Sequence, residues 1–136
     1  MPIAREFSLR LDNRPGSLAT ICKALADRGV NIVAFQSIPS QKTVLVCLVT
    51  DNAVTAQSVL DQEGIIYTEA EVAQVKLANR PGELALVADK LREANINIKY
   101  AYFGVESGTN APLVILGIAE LEHALSILDR AASAAA

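Results

Sequence analysis

The chain has 136 residues, of which 51% are hydrophobic, 20% charged and only 4% aromatic. That is the length of one ordinary domain and the composition of a folded protein rich in small aliphatics, not of a disordered one. A net charge of −3 with no Lys/Arg cluster excludes the usual nucleic-acid binder, and stacking platforms for single strands are scarce.

No apolar run approaches the ~20 residues of a membrane span, and Met1–Glu6 lacks a signal-peptide core. The expectation is a cytoplasmic protein with no membrane partner. Cys22 and Cys47 lie inside apolar stretches and are expected as buried free thiols, one disulfide between them being the alternative.

In chain order, residues 5–11 alternate apolar and polar, the pattern of a half-buried strand. Asn13 as a capping side chain and Pro15 as first helical residue then announce a helix. Leu18, Ile21, Cys22 and Leu25 form its apolar stripe, and Gly29 ends it in a left-handed conformation. Val30–Pro39 and Lys42–Thr50 read as strands around a Pro39-Ser40-Gln41 turn, followed by a helix carrying Ala56, Val59 and Leu60, and a fourth strand at Ile65–Thr68.

The series then starts again. Asn13-Arg14-Pro15-Gly16-Ser17-Leu18-Ala19 returns as Asn79-Arg80-Pro81-Gly82-Glu83-Leu84-Ala85, an offset of 66 residues that also maps Asn31-Ile32 onto Asn97-Ile98. Glu71–Ala78 opens the second copy. Leu84, Val87, Ala88 and Leu91 repeat the stripe, and Asn95 stands in for Gly29 as the left-handed terminator. Ile96–Val105 and Pro112–Gly117 are strands around a Glu106–Ala111 loop, and Leu121, Ala124, Leu125 and Leu128 mark the last helix. Where Ile65–Ala70 would recur, Ala131–Ala136 is almost pure alanine, so the last strand of the second copy is expected to be missing.

The expected fold class is therefore α+β: two ferredoxin-like βαββαβ repeats, residues 1–70 and 71–136, pairing side by side into one antiparallel sheet with helices on one face. Val44–Val49 and Leu113–Leu116 are apolar at every position, which implies cover on both sheet faces. A second copy of the chain, giving a homodimer, is the expected cover. The alternative is that the two halves cover each other.

Catalytic signals are absent. His123 falls off the apolar stripe of its helix and should be exposed, and a Ser/His/Asp set around it would have to rest on one exposed residue with no partner in sequence. The cysteines lack metal spacing, no phosphate-binding Gly-rich motif is present, and the carboxylates scatter over predicted helix faces and turns. The reading is no enzyme, no metal and no cofactor.

The repeated junction is different. Gly16 and Gly82 let a ligand approach the backbone at a first helical turn, where unpaired N–H groups favour a carboxylate. Asn31 and Asn97 open the following strands, and their amides suit the ammonium and carboxylate of an amino acid. The competing reading is plain turn and cap chemistry.

Leu-Asp-Asn-Arg-Pro-Gly-Ser-Leu-Ala with Gly29-Val30-Asn31-Ile32 resembles the ACT domain family, and Leu-Ala-Asn-Arg-Pro-Gly-Glu-Leu-Ala with Asn95-Ile96-Asn97-Ile98 resembles it again. The resemblance implies small regulatory βαββαβ modules that bind amino acids at interfaces between domains and control enzymes of amino-acid metabolism. Carried over, the ligand-binding residues are Asn13, Arg14, Pro15, Gly16, Ser17 and Leu18 faced by Asn31 and Ile32, and Asn79, Arg80, Pro81, Gly82, Glu83 and Leu84 faced by Asn97 and Ile98.

Tyr100 and Tyr102, on one strand face, are further candidates for the pocket wall. Glu83 in place of Ser17 should repel a carboxylate, leaving Gly16 the better holder. With no catalytic domain beside the repeats, the regulated enzyme or transporter would be a separate chain. The function so implied is a non-enzymatic amino-acid sensor. The alternative is a dimerising scaffold or regulatory subunit that binds no ligand.

Overall fold

The computed structural model describes the backbone of residues 3–135 and the side chains of residues 3–128. The elements are β1 (Ile3–Asp12), α1 (Ser17–Asp27), β2 (Ile32–Ser40), β3 (Thr43–Thr50), α2 (Ala53–Gln62), β4 (Ile66–Lys76), α3 (Glu83–Glu93), β5 (Ile98–Val105), β6 (Pro112–Ile118) and α4 (Leu121–Ala135). Two compact units form, one of Arg5–Ala70 and one of Glu71–Ala136 together with Met1–Ala4.

In the Arg5–Ala70 unit, β3 lies between β1 and β2 and is antiparallel to both, with Phe7 opposite Leu48 and Phe35 opposite Leu48 across the two ladders. Arg5 reaches Glu69 at 2.7 Å, and the Phe7 ring meets Tyr67 edge-on, which sets Ile66–Ala70 beside β1. Alternation along β1 sends Phe7, Leu9 and Leu11 into a core with Val46 and Leu48 from β3, Ile21 and Leu25 from α1, and Ala56, Val59 and Leu60 from α2. This is the βαββαβ order of the ferredoxin-like fold.

In the other unit the described elements run β4-α3-β5-β6-α4, and β6 lies between β4 and β5, antiparallel to each. Its core takes Ala73 and Val75 from β4, Leu77 just after it, Val114, Leu116 and Ile118 from β6, Val87 and Leu91 from α3, and Ala124 and Leu128 from α4. Leu113 and Ile115, alternating with these on β6, are buried as well.

The expected Ile65–Thr68 strand and the strand opening at Glu71 are one continuous strand, β4. Nothing in Thr68-Glu69-Ala70-Glu71 breaks an extended backbone, since neither Gly nor Pro occurs there. The hairpin turn falls at Gln41–Lys42, with Ser40 still paired to Thr43 and Gln41 at φ 57°. Helix α4 occupies the alanine-rich segment through Ala135, and Ala136 lies outside the described residues.

Both left-handed terminators hold. At Gly29, φ is 70° and the N–H groups of Gly29 and Val30 donate back to Ala26 and Leu25; at Asn95, φ is 58° and those of Asn95 and Ile96 donate to Arg92 and Leu91. The paired bonds are the Schellman motif, which satisfies the last helical carbonyls.

Candidate functional site

At the first junction the chain leaves β1 and makes one sharp turn before α1. Gly16 has φ 89° and ψ −12°, and the Ser17 N–H points back to the Arg14 carbonyl at 3.4 Å. Pro15 cannot take positive φ, so Pro15-Gly16 fills the central positions of a type II turn. Gly16, not Asn13, is therefore the residue that caps α1, and no side chain caps the helix. Pro15 stands before the first helical residue. The Asn13 N–H donates instead to the Lys42 carbonyl at 3.1 Å, fastening the loop to the β2–β3 hairpin.

The consequence is a bare helix start. The Gly16 carbonyl accepts from the Thr20 N–H at 3.0 Å and from its hydroxyl at 2.9 Å, so the helical ladder begins there. The N–H groups of Leu18 and Ala19 precede that first bond and meet neither a backbone acceptor nor a cap among the described residues. A Cβ added at Gly16 would meet nothing within 4 Å. Arg14 is exposed, its closest carboxylate being Asp12 at 3.8 Å.

The second junction has the same backbone. Gly82 has φ 90° and ψ −10°, open space beside it, and its carbonyl accepts the Leu86 N–H at 3.0 Å. Its side chains differ: Glu83, at the first position of α3, is 7% exposed and pairs with Arg80. The charge expected to repel a guest is thus buried and neutralised within the chain.

The asparagines do not face these loops inside their own unit. Asp12 pairs with Thr43, whereas Ile32 pairs with Thr50, seven residues along β3 and ~23 Å away at ~3.3 Å per residue. In the other unit Leu77 bonds Pro112 at one end of β6 and Ile98 pairs with Ile118 at the other. The reason is the crossover: α1 and α3 carry the chain from one sheet end to the opposite one before the next strand begins.

Asn31 is engaged there with the β3–α2 corner. Its N–H donates to the Asp51 carboxylate at 2.9 Å, and its carbonyl accepts the Asp51 N–H at 3.0 Å. Asn97 and Ile98 line an open groove of about 390 Å³ with Ala88, Arg92, Asn95 and Ile96. Tyr100 and Tyr102 stack with ring centroids 6.4 Å apart, on the sheet face opposite Val114 and Leu116, with Tyr100 across from Gly117.

His123 is exposed, with Nδ1 3.9 Å from Glu120. Cys22 and Cys47 are free and half-buried, and burial pushes both thiols above their usual range. Among the described residues no group of three or more His, Cys, Asp or Glu side chains could hold a metal, and no helix is long and apolar enough to cross a membrane.

No curated protein matches the chain by sequence. Among solved structures, it is similar to a protein from Bacteroides thetaiotaomicron (TM-score 0.83, 20% identity, 95% of this chain and 88% of that one). It is also similar to the regulatory subunit of aspartate kinase from Thermus thermophilus (0.65, 20%, 98% and 92%) and from Thermus flavus (0.58, 19%, 96% and 93%). At such identities the likeness is one of fold. The family model for the ACT domain matches residues 6–62, from β1 through the end of α2, so it takes in the first junction whole. That segment is what matches the ACT domain family.

Proposed function

We propose that this chain is a non-enzymatic regulatory protein of two ACT-like repeats, residues 1–70 and 71–136, that binds a free amino acid and passes its presence to a partner enzyme of amino-acid metabolism in the cytoplasm. The observation that carries this reading is the first junction: a left-handed Gly16 with open space beside it, two unpaired N–H groups behind it, and Arg14 exposed at its rim. Such a turn offers a carboxylate two main-chain donors, a helix dipole and a guanidinium together.

Regulation in this scheme is a difference in affinity: the guest shifts the protein toward whichever arrangement holds it better. The printed names of the two Thermus relatives, regulatory subunits of aspartate kinase, support a role in control. Asn31 and Ile32, at the far end of their unit's sheet, join such a site when a second copy of the chain presents them, which gives the homodimer a purpose.

Isothermal titration with each standard amino acid is the test. At least one should bind in the millimolar range or tighter, and Gly16→Asp should abolish the heat. If none binds and Gly16→Asp changes nothing, the sensor reading fails.

A second reading, a regulatory subunit that needs no ligand, draws on apolar side chains left half exposed on the sheets: Phe35 and Ile38 on β2, Phe103 and Val105 on β5. Recovery of a stable enzyme complex from dialysed, amino-acid-free extract would favour it.

A further inference from the structure

Strands β1 and β4 each belong to both units. β1 passes from one to the other at Ala4–Arg5 and β4 at Ala70–Glu71, the same position in each copy at the 66-residue offset. In the Arg5–Ala70 unit the fourth strand of the repeat is Ile66–Ala70, and two contacts set its register on β1: Arg5 with Glu69 and Phe7 with Tyr67. In an antiparallel pair each step back along one strand is a step forward along the other, so the same register carried on sets Ile3 opposite Glu71.

Ile3 and Glu71 do line one groove, of about 630 Å³, with Leu121 and Leu125 of α4. At the offset, Ile3 matches Glu69 and Glu71 matches Arg5, so this pair is the counterpart of Arg5–Glu69. Among the described residues the second repeat has no strand of its own for that place, since α4 runs on through the alanine-rich segment.

The two corners are held differently. Arg5 spans the first: its guanidinium donates to Glu69 at 2.7 Å and to Gln57 at 3.1 Å, and lies 5.4 Å from the centroid of the Phe7 ring. At the equivalent positions of the second stand Glu71, Ile3 and His123, so the cation has become an acid and its partner an isoleucine. Glu120 and Glu122 share the groove, and among the described residues the one basic side chain set against them is His123, 3.9 Å from Glu120. Burial of Ile3 favours closure, whereas three carboxylates around one groove oppose it.

We infer that Ile3–Ala4 take the place of the fourth strand in the second unit, with Ile3 opposite Glu71, and form a latch that opens while the Arg5–Ala70 unit stays folded. Opening it bares the edge of β4 from Glu71, a row of main-chain donors and acceptors free to pair. The latch needs no guest at either junction, so it goes beyond the sensor reading and does not depend on it.

Hydrogen exchange in the full chain tests this, read at Ala124–Leu128 of α4 and at Ile21–Leu25 of α1. Ile3→Glu, which copies the residue of the first repeat, adds a fourth carboxylate and should speed exchange in α4 alone. Ile3→Glu with Glu71→Arg rebuilds the Arg5–Glu69 pair. Exchange in that double variant should be roughly two- to fivefold slower than the two single changes predict together, the coupling of a cross-strand ion pair. Glu122→Arg removes the same charge from the groove but should couple to Ile3→Glu more weakly than Glu71→Arg does.

Additive effects at Ile3 and Glu71, equal coupling to Glu122, or loosening of α1 together with α4 would overturn the inference. Should a charge variant fail to fold, Ile3→Cys with Glu71→Cys answers instead. Oxidation should join these two cysteines, as peptide mapping would show, and the closed bond should slow exchange in α4 while leaving α1 as it was. Failure of that bond to form, or closure without effect on α4, would equally sink the latch.

Discussion

Gly16 is where residue chemistry and site chemistry meet. Its φ of 89° is a conformation that L side chains adopt at a cost of ~1–2 kcal/mol, while the space beside it is open. Gly16→Ala should therefore destabilise the chain by about 1–2 kcal/mol through backbone strain alone. Urea unfolding checks this, and a loss below about 0.3 kcal/mol would mean the turn relaxes to another form.

The turn also shows what the sequence conveyed and what it hid. Asn-Arg-Pro-Gly read correctly as the place where a strand hands over to a helix. It misled about the cap, because Asn13 and Gly16 are both residues that precede helices. The choice between them depends on whether Pro15 lies inside the helix or in a turn ahead of it, and spacing does not distinguish the two.

At the scale of elements, periodicity was the reliable signal. Of the two helix stripes, Ile21 and Leu25 and then Val87 and Leu91 are buried, whereas Leu84, at the start of the second, is exposed; Phe7, Leu9 and Leu11 enter the core by simple alternation. Which sheet end an element's terminus occupies was not legible: Asn31 follows α1 closely in sequence, yet an 11-residue helix spans ~16 Å and delivers it to the far end.

Cross-strand partners were equally hidden, and one pair carries a prediction. Gly117 on β6 lies opposite Tyr100 on β5, and a Cβ there would stand 2.2 Å from the tyrosine ring. The ring covers the glycine, a device that lets a strand keep a residue with no side chain of its own. Gly117→Ala should cost about 1–3 kcal/mol by overpacking. Paired with Tyr100→Ala, the alanine should cost far less. Additive losses in the double variant would show that ring and glycine are uncoupled.

For the whole molecule, the duplication is legible and its incompleteness is too: the alanine-rich end carries no strand pattern, and α4 runs through it. That the opening residues of the chain adjoin this unit was not legible, since they lie at the other end of the sequence. Ile3 and Ala4, the opening of β1, belong to the unit of Glu71–Ala136. Ile3 lines a groove of about 630 Å³ with Leu121 and Leu125 of α4, beside Glu71, Glu120 and Glu122.

An aspartate in that place would withdraw apolar cover from α4 and add a fourth negative charge to the groove. Ile3→Asp should therefore loosen the unit by roughly 1 kcal/mol or somewhat more, combining lost burial with like-charge repulsion. Hydrogen exchange locates the effect: amides of Ala124–Leu128 should exchange faster, while those of α1, inside the Arg5–Ala70 unit, should keep their protection. Equal loosening of both regions would mean that the chain opens as a single cooperative body. No change in α4 would mean that the N-terminal residues contribute nothing to the unit they adjoin.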